Sequence, residues 1–189
     1  MDIIESGNND KPDVEFLKYC LPLLKSFPYH KLLRKDLINI QSQVLKKIGV
    51  SNIFELKDKF EGEAFLKKTT IAYSTHLFLN RFLGFDRDVF ELDVQKDGNK
   101  FHTLNGKLYE IVNFNFGQRC LFEYKNNDIV RDGLIFVLHR AEMTYLCGYI
   151  TEMEIQFLYE DAPYYTTSTR NGYKIFINFD KLKSLKDLK

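Results

Sequence analysis

Two carboxylates draw attention first. Asp93 lies in Phe90-Glu91-Leu92-Asp93-Val94-Gln95 and Glu110 in Leu108-Tyr109-Glu110-Ile111-Val112, 17 positions later, both among residues of strand composition. A charge between apolar neighbours is costly unless it has a partner. Hydrolysis of a phosphodiester with a divalent metal needs carboxylates that converge from neighbouring elements, because hard cations prefer oxygen and the ion must both polarise phosphate and activate water. Glu63, in Glu61-Gly62-Glu63-Ala64-Phe65, offers a third acid at a helix start. Each acid also has a bland reading: Asp93 and Glu110 on wet strand faces paired with lysines, and Glu63 complementing a helix dipole.

Other chemistry finds little support. His30, His76, His102 and His139 are scattered without a His-x3-His pair, and Cys20, Cys120 and Cys147 form no Cys-x-x-Cys pair. The thiols therefore read as buried and reduced rather than as a disulfide or zinc framework. Ser74 and Thr75 lack a nucleophile-elbow context, and no phosphate-binding glycine loop is present. Phe114 and Phe116 alternate with Asn113, Asn115 and Gln118 before Arg119. That composition suits base stacking and phosphate contact, although core packing explains the rings more simply.

The elements that must position these residues change type along the chain. Residues 1–12 form a polar arm, and 13–60 a helical N-terminal region. Phe16, Leu17, Cys20, Leu21 and Leu24 give a first helical pattern from Asp13, Leu33, Leu37, Ile40, Val44 and Ile48 make a second stripe ending at Gly49, Ser51 can cap a third helix to about Phe60, and a fourth helix runs from Gly62 to Gly84. After Gly84 the period drops to two. Val89 to Gln95, Leu108 to Phe114, Arg119 to Tyr124, Leu134 to His139, Thr144 to Ile150 and Tyr173 to Phe179 read as strands, separated by Asp-Gly, Asn-Gly and Asn-Asn turn signals. Thr151 and Glu154 form a capping box for a helix over Glu152 to Tyr159. The fold class is α/β (α+β), a helical N-terminal region followed by a mixed-sheet domain over 61–189.

Lys and Arg number 27 against 26 Asp and Glu, so any polyanion must be met by a local patch rather than by net charge. Lys25, Lys31, Arg34, Lys35, Lys46 and Lys47 against Asp36 give the Lys25 to Val50 segment a local +5. Glu142, Glu152, Glu154, Glu160 and Asp161 give 141–162 a local −5, a candidate docking surface for a basic protein partner. A solvated lysine face explains the first as readily. The polar start lacks a signal-peptide profile and no apolar run reaches the roughly 18 residues of a membrane span, so a cytoplasmic, non-membrane protein is expected.

In order and phrase, the chain from Glu61 onward resembles the PD-(D/E)XK nuclease superfamily, the restriction-endonuclease-like proteins. Gly62-Glu63 looks like the family's helix-start glutamate, Asp93 like its first strand acid and Glu110 like the acid of its Glu-x-Lys strand. Asp132 to Leu138, Leu146-Cys147-Gly148-Tyr149-Ile150-Thr151 and Tyr173 to Phe179 look like its closing strands. The resemblance implies a restriction-endonuclease-like domain and a metal-dependent DNA endonuclease, with Glu63, Asp93 and Glu110 on Mg²⁺ or Mn²⁺. The sequence departs where the family places its lysine, a position held by Val112. The family's lysine migrates between elements, so Lys107 is implied in that role, with Lys96 and Lys125 as alternatives. DNA would lie on Lys31, Arg34, Lys35, Lys46, Lys47 and Arg119, and a homodimer is left open. Two other classes remain: a cleavage-incompetent or helix-turn-helix-like DNA-binding protein built around Gly49-Val50-Ser51, and a protein-interaction module using the acidic segment.

Overall fold

The computed structural model describes residues 18, 21–57, 62–116, 121–124, 130–160, 166–169, 172–176 and 179–189. The arm over 1–12 lies outside them, as do Arg119 and Lys125. A short strand β1 (Tyr29–Lys31) precedes helices α1 (Arg34–Ile48), α2 (Ile53–Lys57) and α3 (Gly62–Leu83). A 3-10 turn at Val89–Glu91 leads into α4 (Val94–Asp97), followed by β2 (Lys100–His102), β3 (Leu108–Asn115), β4 (Leu121–Tyr124), β5 (Gly133–Arg140) and β6 (Met143–Thr151). Helix α5 (Glu152–Glu160), β7 (Thr166–Thr169), β8 (Gly172–Phe176) and 3-10 turns at Phe179–Lys181 and Leu185–Leu188 complete the order. The fold class is mixed α/β with a helical N-terminal region, as the change of period predicts.

Five strands form one mixed sheet in the order β1-β6-β5-β3-β2, in which β3 and β5 are parallel and the other neighbours antiparallel. The central strand β5 is buried along Gly133 to Leu138, so it reads as a continuous apolar run rather than an alternating one. Leu134, Phe136 and Leu138 pack with Phe114, Ile150, Ile155 of α5 and Phe179 on one face. On the other, Ile135 and Val137 pack with Phe78, Leu79, Ile111 and Leu146 beneath α3. A third cluster joins Ile40 and Val44 of α1 to Leu56, Tyr73, Val89 and Val94. A separate antiparallel sheet has the order β4-β8-β7.

Three expectations are corrected. The first 84 residues are not all helical: Tyr29–Lys31 pairs antiparallel with Met143 to Tyr145, and Leu24 joins the core under α5. Residues on both sides of the expected 60/61 boundary thus share one sheet. Val89 to Gln95 is not a strand, because Asp88 and Asp93 each accept hydrogen bonds from the amides just ahead of them and nucleate short helical turns. Val89 and Val94 are then buried in the same cluster from two successive turns. Finally, Asn52 rather than Ser51 caps α2, its Oδ1 accepting from Glu55 N at 3.1 Å while Ser51 bonds the Glu55 carboxylate.

Other boundaries agree closely. Gly49 ends α1 at φ 69°, the left-handed conformation that favours glycine. The Thr151–Glu154 capping box opens α5, with Thr151 N and Oγ1 both donating to Glu154 Oε2 at 3.0 and 2.7 Å.

Candidate functional site

Asp93 stands at the entry to α4, exposed, where its Oδ1 accepts from Gln95 N at 3.1 Å and Lys96 N at 3.3 Å. Its carboxylate closes a helical turn. Glu110 stands on β3 opposite Lys100 of β2, on the sheet face that carries α5. The Arg131 side chain is only 3% exposed; its Nη1 donates to Glu110 Oε2 at 2.5 Å and its Nε to Glu152 Oε2 at 2.7 Å. Asn99 Nδ2 donates to Glu110 Oε1 at 3.4 Å.

This triad follows from the local chain path. Arg131 immediately precedes β5, whose parallel register sets Tyr109 against Gly133 and Glu110 against Leu134. Glu152 begins α5, with its N–H donating to Asp132 O at 2.9 Å, while Asp132 also accepts from Leu108 N through Oδ2 at 2.8 Å. Three chain segments therefore meet at the amino ends of β3 and β5, and the guanidinium is the cation they enclose. A buried arginine needs such paired, hydrogen-bonded acids.

The donor set does not fit the Mg²⁺ that the nuclease resemblance implies. Glu110 is bonded to a guanidinium, Asp93 to backbone amides, and among the described residues no group of three or more His, Cys, Asp or Glu side chains could hold a metal ion. Glu63 lies in the first turn of α3, its side chain outside the described atoms. Lys107 is exposed in the β2–β3 turn, where its backbone is bonded on both sides to Thr103. Val112 stands mid-strand, opposite Phe136, with no cation on the preceding or following residue.

The basic residues part company. Lys47 Nζ donates to Tyr73 OH at 2.9 Å and to Leu92 O at 3.2 Å, clamping α1 to α3 and to the chain before α4. Lys31 pairs with Glu142 at 3.6 Å, both exposed. Arg34, Lys35 and Lys46 are exposed and make no ion pair among the described residues. Lys35, Asn39, Ser42 and Lys46 recur at four, three and four, and all are exposed on the side of α1 away from buried Ile40 and Val44. Between its two lysines the stripe runs about 16 Å.

The acidic segment does not present its full charge. Glu142 pairs with Lys31, Glu152 with Arg131, and Glu154 with Lys183 at 2.8 Å. The Glu160 side chain and Asp161 lie outside the described atoms. Phe114 is buried and tilted against Phe179 at 5.8 Å, and Phe116 is partly buried with the Arg140 guanidinium 4.7 Å from its ring centroid. Core packing thus accounts for the first ring. The described part of α2 is five residues, about 7.5 Å long.

Sequence reasoning missed Arg131, the centre of the one buried ion-pair network among the described residues. Its signal was present as Arg131-Asp132-Gly133, a charged pair directly ahead of the most apolar strand. Three histidines scattered in the sequence lie where burial disfavours their charged form. His76 donates from Nε2 to Gly98 O at 3.2 Å, and His139 bonds Asn113 and Thr144. Burial pushes both imidazoles down to about 4 and lowers His30 as well. No helix among the described residues is long and apolar enough to cross a membrane. No family model, curated protein or solved structure matches this chain.

Proposed function

We propose that the protein binds the backbone of a nucleic-acid duplex and does not cut it. The observation that carries this reading is the outward stripe of α1, Lys35, Asn39, Ser42 and Lys46, with Arg34 at its start. These side chains are exposed, make no ion pair among the described residues and consist of cations and hydrogen-bonding groups, the composition that contacts phosphate without reading bases. Glu110 supports the second half: hydrolysis through a hard cation needs a free carboxylate there, and Arg131 already neutralises it.

Binding of a 20-base-pair DNA duplex, followed by fluorescence anisotropy between 50 and 200 mM salt, tests the reading. The combined variant Arg34→Gln, Lys35→Gln, Lys46→Gln is expected to bind more weakly whatever the duplex sequence. The slope of log affinity against log salt should become shallower by about 2.7, because each phosphate neutralised contributes roughly 0.9. Equal affinity and slope in the variant would remove α1 from the interface. Supercoiled plasmid with Mg²⁺, Mn²⁺ or EDTA should stay intact; metal-dependent cleavage lost in Glu110→Ala would overturn the non-cutting reading.

A further inference from the structure

The chain reversal at the end of α1 leaves a groove beside the helix. Gly49, at φ 69°, turns the chain back, and Val50 N donates to Leu45 O at 3.0 Å. Val50 and Ile53 are thereby laid next to Leu45 and Ile38, and these four aliphatic side chains form the floor of an open groove of about 460 Å³. That volume lies within the roughly 300–1,000 Å³ of small-ligand sites. The floor is anchored, because Val50 is buried and Leu45 and Ile53 pack against the Ile40 cluster. Ile38, 56% exposed, is its outer lip.

The rim is polar and carries one sign of charge. Gln41, Ser42 and Lys46 line it from α1. Gln41 is half-buried, and its amide makes no hydrogen bond among the described residues, so it is open both to donate and to accept. Lys46 is exposed without an ion pair among the described residues. None of the described residues lining the groove is acidic, and Ser51, on its far wall, donates its hydroxyl to the Glu55 carboxylate, which also accepts from Asn52 Nδ2 at 3.1 Å.

The groove is continuous with the outward stripe of α1, since Ser42 and Lys46 belong to both. A ligand suited to this surface combines an apolar face for the floor, a mixed donor and acceptor edge for Gln41, and an anion for Lys46. A nucleotide joins all three. Within a duplex the base faces are stacked on one another and closed to such a floor, so only an unpaired nucleotide can turn its base onto it.

We propose that this groove takes the base of an unpaired nucleotide whose phosphate is held by Lys46, so that the protein prefers a duplex carrying a single-stranded overhang to a blunt one. The floor meets the flat face that every base shares, and the preference is therefore for unpaired structure rather than for sequence. The inference rests on the reading that α1 faces nucleic acid.

Fluorescence anisotropy with the full chain compares three probes: a blunt 20-base-pair duplex, the same duplex with a three-nucleotide overhang, and that overhang built from abasic nucleotides. The abasic probe keeps the added phosphates and removes only the bases. With a 5′ or a 3′ overhang, the base-bearing probe should bind about 10-fold more tightly than its abasic twin, the low end for stacking one base, since the floor is aliphatic. Ile38→Ser, at an exposed position outside the stripe, should erase that difference and leave blunt-duplex affinity unchanged, while Ile38→Leu should keep it. Equal affinity for base-bearing and abasic overhangs of both polarities, or a difference that survives Ile38→Ser, would overturn the proposal and leave duplex binding standing. A base-dependent gain without affinity for the blunt duplex would uphold the groove and overturn the duplex reading. Binding to none of the probes would remove both.

Discussion

The Arg131 guanidinium bridges Glu110 and Glu152 while its own side chain is 3% exposed. Replacing it with methionine would keep much of the packing and leave two partly buried carboxylates facing each other. Loss of one partner from a buried pair costs about 3–5 kcal/mol, so Arg131→Met should lower the urea midpoint by a comparable free energy. Glu110→Gln should cost less, since Arg131 keeps Glu152. A methionine variant as stable as the parent would show that the triad contributes nothing net. Sequence reasoning recognises that Glu110, set among Tyr109, Ile111 and Val112, needs a partner. It does not find Arg131, 21 positions on, because that partner is brought in by the parallel β3–β5 register, a long-range choice invisible to local spacing. Asp93 fails for the opposite reason. Its partners, the amides of Gln95 and Lys96, are so local that strand composition around it outweighed the capping signal.

Elements with strong local signals were readable. Gly49 ends α1, Thr151 and Glu154 open α5, and Gly62 to Leu83 forms one helix, each because a cap or period is written in a few adjacent residues. Strands β1 and β2, three residues each, carry too little pattern to read and owe their conformation to their neighbours β6 and β3. The C-terminal segment is held in the same tertiary manner. Tyr149 and Lys183 exchange two backbone hydrogen bonds, at 3.1 and 2.8 Å, beside Gly148 at φ 142°. A Cβ on Gly148 would lie 2.6 Å from Lys183 O and 2.8 Å from Leu182 Cβ. Gly148→Ala should therefore displace this bridge and speed amide exchange at Tyr149 and Lys183 more than at the centre of β5. Uniform exchange throughout would mean that the segment adapts without detaching.

At the scale of the whole molecule, three histidines weaken the fold in acid. His30, His76 and His139 are held below their ordinary pKa by burial, the latter two at about 4. The unfolded chain binds these protons near pH 6.5 while the folded chain refuses them, so their contribution to stability is complete above 6.5 and lost progressively as pH falls toward 4. Each unit of difference is about 1.4 kcal/mol. Thermal midpoints measured from pH 7 to 4 should fall across this window, and His76→Gln, which keeps a donor for Gly98 O, should flatten the fall. A midpoint independent of pH over that range would contradict the burial of these rings as neutral species.

The pairing of β1 with β6 also fixes an order of events in synthesis. Tyr29 meets Tyr145, which follows it by 116 positions. At about 5–20 residues per second, the ribosome delivers that partner roughly 6–23 s later. Until then the first strand of the chain has no sheet to join, and Leu24 has no core beneath α5 to enter. The helices α1 and α3 can pack on each other early, since Ile40 and Val44 meet Leu66 and Tyr73 nearby in sequence. The amino-terminal edge therefore stays open until β6 is made, and a nascent chain arrested before residue 143 would carry it open to the solvent and to chaperones.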